Sequence, residues 1–296
     1  MSALDACLPR WVVEMAVQSL ADWLIEPFTF MVRGLLAGLL AGVSCAVLGT
    51  YVVWRGMAFV GDAMAHTILP GVVIAFLEGV NLFVGALIAA ILTAVGIGWF
   101  SRNREVREDT AIGVMFSGFF ALGILLLSRV RSYQDLTHIL FGDILGVGPL
   151  DLWVIAAVTV LVLTAVALFY KELLLTSFDP GHAVAIGLSP EVVRYGLLVL
   201  VALTVVSAIQ AVGVVMVIAL LVTPAATASL LVRRLPSIMA LGALFSALAA
   251  LVGLYASYYA NVASGAAIVL TLTGFFLLAF LWAPKRGLVW RARQAG

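Results

Sequence analysis

Charged residues are scarce in this sequence. Asp, Glu, Lys and Arg make up only 10% of its 296 residues, whereas an average soluble domain has about a quarter. Hydrophobic residues make up 64%, which excludes a soluble domain and a disordered chain. The formal net charge is +1, so the charge balance gives no indication of nucleic-acid binding.

Cysteine and lysine are also rare. The two cysteines are Cys7 and Cys45, and Cys45 lies inside an apolar run, so no disulfide framework is expected. Neither Lys171 nor Lys285 lies in a G-x-x-x-x-G-K-[ST] phosphate loop. This chain is therefore not expected to bind ATP in the P-loop manner. An ATP-driven process would need a second subunit that supplies the nucleotide site.

The sequence contains instead nine apolar stretches, each long enough to cross about 30 Å of hydrocarbon as a helix. A membrane β-barrel would show shorter, alternating segments of about 10 residues. The sequence therefore predicts an all-α polytopic membrane protein with eight or nine transmembrane helices, since a short link, at Ala211–Val212 or at Asn261–Val262, could lie inside one broken helix. The predicted spans are Met31–Trp54, Met57–Leu77, Leu82–Phe100, Thr110–Ser128, Leu152–Tyr170, Val192–Gln210, Gly213–Val232, Ser237–Ala260 and Ala263–Ala283.

The distribution of basic residues predicts the orientation. If the loop after the first span is cytoplasmic, twelve of the sixteen Lys and Arg residues lie on that side, as the positive-inside rule requires. The N-terminus is then outside, and residues 285–296 form a basic cytoplasmic tail. Residues 8–27 mix aromatic, aliphatic and charged residues, which is typical of a helix lying in the membrane interface. We therefore expect residues 1–29 to be an interfacial segment, retained because they lack the features of a cleavable signal peptide.

Asp62 is the one acidic residue that falls well inside a predicted span. A carboxylate at that depth costs a few kcal/mol, so it should face a partner, a bundle interior or a water-filled path. His66 follows at i+4 and lies on the same helical face, about 6 Å away. Carboxylate and imidazole together suit Zn²⁺, Mn²⁺ or Fe²⁺. The alternative is that the two side chains only form a structural polar contact with each other or with neighbouring helices.

Two ligands on one helix do not complete a metal site. Zinc takes four ligands and manganese up to six. The remaining ligands would come from other spans, from water or from a second copy of the chain.

Glycine and proline positions predict how the spans pack. Gly34, Gly38 and Gly42 recur at i+4 on the first span, which favours close helix packing. Pro70 predicts a kink in the second span and Pro224 a break in the seventh.

A short helix is predicted between the fifth and sixth spans. Asp179 is a good N-cap, Pro180 suits the first helical position and Gly187 can end the helix at C′. The expected helix is Pro180–Ile186, on the cytoplasmic side. It is either a connector or a rigid element that is presented to a partner.

Several segments resemble those of one known family. GDAMAHTILPGVVIAFL, SFDPGHAVAIGL and GVVMVIALLVTPAATASLL resemble diagnostic segments of the membrane permease subunit of bacterial ABC importers for manganese, zinc or iron. EDTAIGVMFSGFFALGILLLS and DLTHILFGDILGV resemble intervening segments of the same family. The resemblance runs from about Phe30 to Pro284 and leaves out the N-terminal segment and the basic tail.

The resemblance implies a multi-pass protein of the bacterial cytoplasmic membrane with the fold of type II ABC importers, which is similar to that of the cobalamin importer. The permease domain would span residues 30–284, with a coupling helix at about 179–187. Expected partners are a second copy of the chain, a cytoplasmic ABC ATPase dimer that binds ATP, and an extracytoplasmic metal-binding protein. The chain itself would be no enzyme and would hold no permanent cofactor, since the metal ion is its cargo.

The resemblance also implies roles for individual residues. Asp179, Ala183 and Gly187 correspond to the helix that couples the permease to the ATPase. Asp62 and His66 match the family's Asp-x-x-x-His positions and would handle the metal.

The sequence leaves three questions about the metal open. It does not name the ion. It does not settle whether both copies share one ion, or whether His138 and Asp143 help to guide it.

Other classes of membrane protein differ from a metal permease in their motifs or in what drives them. An intramembrane zinc protease would need a motif such as H-E-x-x-H, and His66, His138 and His182 have no second histidine within five residues. A metal channel or a secondary transporter would act without an ATPase. An exporter of the same fold would differ only in the direction of flux.

Overall fold

The structure, a computed structural model, describes residues 10–102, 105–129, 144 and 146–283, and for residues 10–30 and Gln210 it describes the backbone. This part of the chain forms twelve α-helices. They are α1 (Arg10–Trp54), α2 (Val60–Thr67), α3 (Leu69–Leu77), α4 (Leu82–Phe100), α5 (Glu108–Leu127), α6 (Pro149–Leu168), α7 (Tyr170–Phe178), α8 (Pro180–Ala185), α9 (Pro190–Val212), α10 (Val214–Leu231), α11 (Leu235–Ala260) and α12 (Ser264–Trp282).

The prediction of nine membrane spans is confirmed. Nine stretches of the described chain are helical, long enough and apolar enough to cross a membrane. Neither short link lies inside a single broken helix. Gly213 separates α9 from α10, and Asn261 ends α11 with positive φ. The all-α fold predicted from the sequence is therefore the observed one.

The N-terminal segment is continuous with the first span. Helix α1 begins at Arg10 and runs without interruption to Trp54. The location of residues 1–29 at a membrane surface stays a prediction, and the basic tail 285–296 lies outside the described residues.

The two prolines act differently. At Pro70 the helix of the second span is interrupted, because it is divided at Ile68 into α2 and α3. The break predicted at Pro224 is wrong, because α10 continues through it. A proline removes one backbone hydrogen bond, and a membrane helix packed among neighbours can continue past that loss.

The helices form two groups around α9. Helices α1, α10, α11 and α12 pack together, and α2 and α3 pack against α4 and α5, while α9 contacts α4, α1, α6 and α2. Close packing of the first-span glycines is confirmed where α1 crosses α11. A Cβ on Gly38 would lie 3.4 Å from Ala250 Cβ, and one on Gly42 would overlap Ser246.

Several connections between spans meet on one face of the bundle. Arg55, after α1, donates a hydrogen bond to Ser177 in α7, and Arg194 in α9 donates to the carbonyl of Ser101 after α4. Glu108 and Arg194 both act electrostatically on Arg55, so these clusters are neighbours. The charge count assigns the same connections to one side of the membrane.

Candidate functional site

Asp62 and His66 lie together on α2, as the sequence predicts. His66 Nδ1 is 3.3 Å from Asp62 Oδ1 and 2.9 Å from the backbone carbonyl oxygen of Asp62. The i,i+4 spacing on a regular helix brings the two side chains onto the same face. They form a carboxylate–imidazole pair that could donate one oxygen and one nitrogen to a metal ion.

The pair is nearer to the end of its span than the sequence suggests. Helix α2 starts at Val60, so Asp62 lies in its first turn. The partial positive charge at a helix N-terminus stabilises a carboxylate there. This position lowers the cost of the acid within the membrane.

Two aromatic rings from α5 form one wall beside the pair. The His66 ring meets the rings of Phe116 and Phe120 edge-on, each at 5.6 Å between centroids, and these two rings stack on each other. The side chains of His66 and Asp62 nevertheless remain 35% and 40% exposed. The two rings thus hold the imidazole on one side, while both side chains stay partly exposed among the described residues.

The described chain supplies no third ligand. Among its described residues, no group of three His, Cys, Asp or Glu side chains could hold a metal ion. His138 and Asp143 lie outside the described residues. The pair alone is therefore half of a tetrahedral donor set.

The predicted short helix is present as α8. The Asp179 carboxylate accepts a hydrogen bond from the backbone N–H of His182 at 2.8 Å, and Pro180 occupies the first position. Gly187 ends the helix with φ +86°. Leu188 N–H donates to the Ala183 carbonyl and Gly187 N–H to the Val184 carbonyl, which together form a Schellman motif. Both ends of α8 are therefore fixed by the sequence.

Ala183 faces the protein itself. Its side chain is fully buried in this chain, where α8 packs against α7 and α9. The small side chain allows α8 to lie close to the bundle. Val184 and Ile186 are 62% and 56% exposed, so these two apolar side chains are available to a partner.

Sequence reasoning missed the arginine that connects α1 to α7. Arg55 Nε donates to Ser177 Oγ and a terminal nitrogen of Arg55 donates to Thr176 Oγ1, both at 3.0 Å. In the sequence Arg55 counts only as a positive charge after a span. Its position directly after an apolar stretch and seven residues before Asp62 was the available signal.

A sequence profile of the ABC 3 transport family matches residues 27–283. The chain belongs to this family. The resemblance identified from the sequence is thereby confirmed, and so is the assignment as an ABC transporter permease of the kind found in metal transport. The match also agrees with the expected limits of the resemblance, from about Phe30 to Pro284.

Curated relatives of this ABC 3 family member are metal transport proteins. The manganese transport system membrane protein MntC of Listeria monocytogenes is 45% identical over 267 residues, covering 90% of this chain and 95% of the relative. The chelated iron transport system membrane protein YfeD of Yersinia pestis is 40% identical over 263 residues, covering 87% of each chain.

Solved structures of similar proteins share the fold. PsaBC from Streptococcus pneumoniae, solved in complex with Fab, has a chain with a TM-score of 0.79 and 39% identity, covering 90% of this chain and 97% of that one. A metal-chelate type ABC transporter in an inward-facing conformation has a TM-score of 0.66 at 18% identity. The type II importer fold predicted for this family member is confirmed.

Proposed function

We propose that this chain is the permease subunit of an ATP-driven importer of a divalent transition metal, manganese, zinc or iron, in the bacterial cytoplasmic membrane. The observation that carries the proposal is the Asp62–His66 pair on α2, whose carboxylate and imidazole are partly exposed and suit a divalent transition metal. Relatives named for manganese and for chelated iron transport support the same cargo class.

The path is proposed to form between two copies of the chain. One copy brings two ligands, and a twofold axis beside the pair would bring Asp62 and His66 of both copies to one ion as an O₂N₂ set. The face of α5 next to the pair supports this arrangement. A Cβ added to Gly113 or Gly118 meets nothing within 4 Å, and Ser117 is exposed between them, so the backbone of a second copy can approach closely.

The energy is proposed to come from a cytoplasmic ABC ATPase dimer that docks on α8, and the metal from an extracytoplasmic metal-binding protein. The exposed Val184 and Ile186 on a helix capped at both ends support such a docking site. A hydrophobic contact on a rigid element is suited to transmitting force, because little of the binding energy is lost in ordering it.

Reconstitution separates this function from its alternatives. The chain purified with its bound ATPase and placed in liposomes should take up Mn²⁺, Zn²⁺ or Fe²⁺ only when ATP is present on the ATPase side. The chain alone should take up none. Metal flux through the chain alone would instead indicate a channel or a secondary transporter, and ATP-driven flux in the opposite direction would indicate an exporter. Metal accumulation by cells lacking the gene, measured for all three ions together, identifies the cargo.

The orientation of the chain can be tested by thiol labelling. Val80 lies between α3 and α4 and is exposed, and Lys171 lies exposed in α7. In a background with Cys7 and Cys45 replaced by Ala, a membrane-impermeant thiol reagent should label Val80→Cys in whole cells. It should label Lys171→Cys only after the membrane is permeabilised. The reverse pattern would place α8 outside, beyond the reach of an ATPase, and would refute the importer proposal.

A further inference from the structure

Arg55 joins the end of α1 to the end of α7. Its guanidinium donates to Thr176 Oγ1 and Ser177 Oγ, both at 3.0 Å. These hydroxyls in turn donate to the α7 backbone, Thr176 to the Glu172 carbonyl at 2.8 Å and Ser177 to the Leu173 carbonyl at 2.6 Å. Each hydroxyl is therefore fixed by its own helix and presents its oxygen to Arg55.

A ring contact reinforces the same junction. Trp54, the last residue of α1, and Phe178, the last residue of α7, meet edge-on with centroids 4.6 Å apart. The hydrogen bonds and the ring contact thus involve consecutive residues on each side of the junction, namely Trp54 and Arg55 on one side and Thr176–Phe178 on the other.

The α7 side of the junction continues directly into α8. Asp179 directly follows the last residue of α7, as its C-cap, and is also the N-cap of α8. Thr176 and Ser177 precede it by three and two residues. A displacement of α8 therefore moves the hydroxyls that hold Arg55.

The α1 side continues directly into α2. Gly56 turns the chain with φ +75°, and the Met57 N–H donates to the Val52 carbonyl. The buried Met57 then accepts from the Val60 N–H at the start of α2. Asp62 lies in the first turn of that helix, seven residues after Arg55. The connection is short and hydrogen-bonded, so it transmits movement rather than absorbing it.

The chemistry of the link suits a contact that is broken and remade. Burial lowers the pKa of Arg55, but a guanidinium remains charged in proteins. Its hydrogen-bond partners on α7 are neutral hydroxyls, and Glu108 stabilises the charge from α5 while Arg194 opposes it. Among the described contacts, Arg55 forms no ion pair with a carboxylate on α7.

We propose that Arg55 is a positioning residue that transmits the displacement of α7 and α8 to α2, and thereby couples ATP hydrolysis to the orientation of the Asp62–His66 pair. This inference rests on the proposed function, since it requires an ATPase docked on α8. Arg55 itself binds neither metal nor nucleotide.

The test uses the purified permease–ATPase complex in liposomes, with Mn²⁺ as the metal probe, and measures metal uptake and ATP hydrolysis in the same sample. Thr176→Val with Ser177→Ala removes both acceptors and keeps the charge of Arg55, whereas Arg55→Gln removes the charge. Both variants should take up about tenfold less metal per ATP hydrolysed, which is the scale of a typical coupling between sites. Basal ATP hydrolysis and the amount of bound ATPase should stay near those of the unaltered complex.

The control is Thr273→Val, which removes a hydroxyl that donates only to its own helix, at the Val269 carbonyl. It should behave as the unaltered chain does. The inference is overturned if the double variant keeps the normal ratio of uptake to hydrolysis, or if it loses the bound ATPase. Failure of the unaltered complex to couple uptake to ATP would instead overturn the proposed function, so the two failures are distinguishable.

Discussion

Replacing Asp62 or His66 by Ala is expected to abolish metal uptake while the protein level and ATPase assembly stay near normal. Each substitution removes one of the two proposed ligands on α2, and the described residues form no group of three candidate ligands. Loss of even an outer partner costs a metal site about 10- to 100-fold in affinity or activity, so uptake should fall by at least that factor. The measurement is ATP-dependent accumulation of Mn²⁺, Zn²⁺ and Fe²⁺ in liposomes holding the complex.

Two further variants test the role of the Asp62 charge and serve as a control. Asp62→Asn keeps the size of the side chain and removes its charge, so it should fail as Asp62→Ala does. Glu78→Ala removes an exposed carboxylate that follows α3, away from the pair, and should leave uptake unchanged. Normal uptake in both Asp62→Ala and His66→Ala would show that the pair is a structural contact.

The proposal that both copies share one ion also predicts the geometry of the dimer. In an experimental structure of the dimer, Asp62 of the two copies should border one cavity. If the two carboxylates lie far apart without a common cavity, the twofold O₂N₂ site is refuted, whether or not each pair binds metal on its own.

Replacing Ala183 by Trp is expected to remove the ATPase from the complex and to stop transport. Ala183 is fully buried where α8 meets the bundle, so the larger side chain has to push α8 away. Overpacking of this kind costs about 1–3 kcal/mol or more, and the thermal stability of the purified permease should fall. Gly187→Val should act in the same way, because φ +86° is strained for a residue with a Cβ.

Substitutions on the outer face of α8 separate docking from packing. Val184→Asp and Ile186→Asp place charges on exposed side chains, so the thermal stability of the permease should not change. ATPase binding should weaken by at least about tenfold if these residues are anchors of the interface. Val80→Asp, also on an exposed position, is the control and should change neither quantity. Normal transport by Ala183→Trp would show that the docking face lies elsewhere.

The sequence predicts local structure well because local structure depends on neighbouring residues. The nine spans follow from the length of apolar stretches, and α8 follows from Asp179, Pro180 and Gly187, whose capping roles need no tertiary contact. The Asp62–His66 pair is of the same kind, since a four-residue spacing on any regular helix brings two side chains together.

Sequence-based predictions fail where packing against distant helices determines the structure. Pro70 and Pro224 carry the same local signal, but only the first interrupts its helix. The sequence also did not show that the Ala183 side chain is buried against the chain's own helices. A short motif defines a helix, but it does not define which face of that helix is turned inward.

The sequence by itself determined the class of the protein, its nine spans, the helix that is capped at both ends, and the pairing of a carboxylate with an imidazole. These features depend on hydrophobic length, backbone capping and helical periodicity, all of which act over a few residues. Only the tertiary structure decided that Phe116 and Phe120 pack against the imidazole, that the pair stays partly exposed, and that Arg55 meets Thr176 and Ser177 more than a hundred residues away. Such contacts depend on how distant helices pack, and no local pattern in the chain specifies that packing.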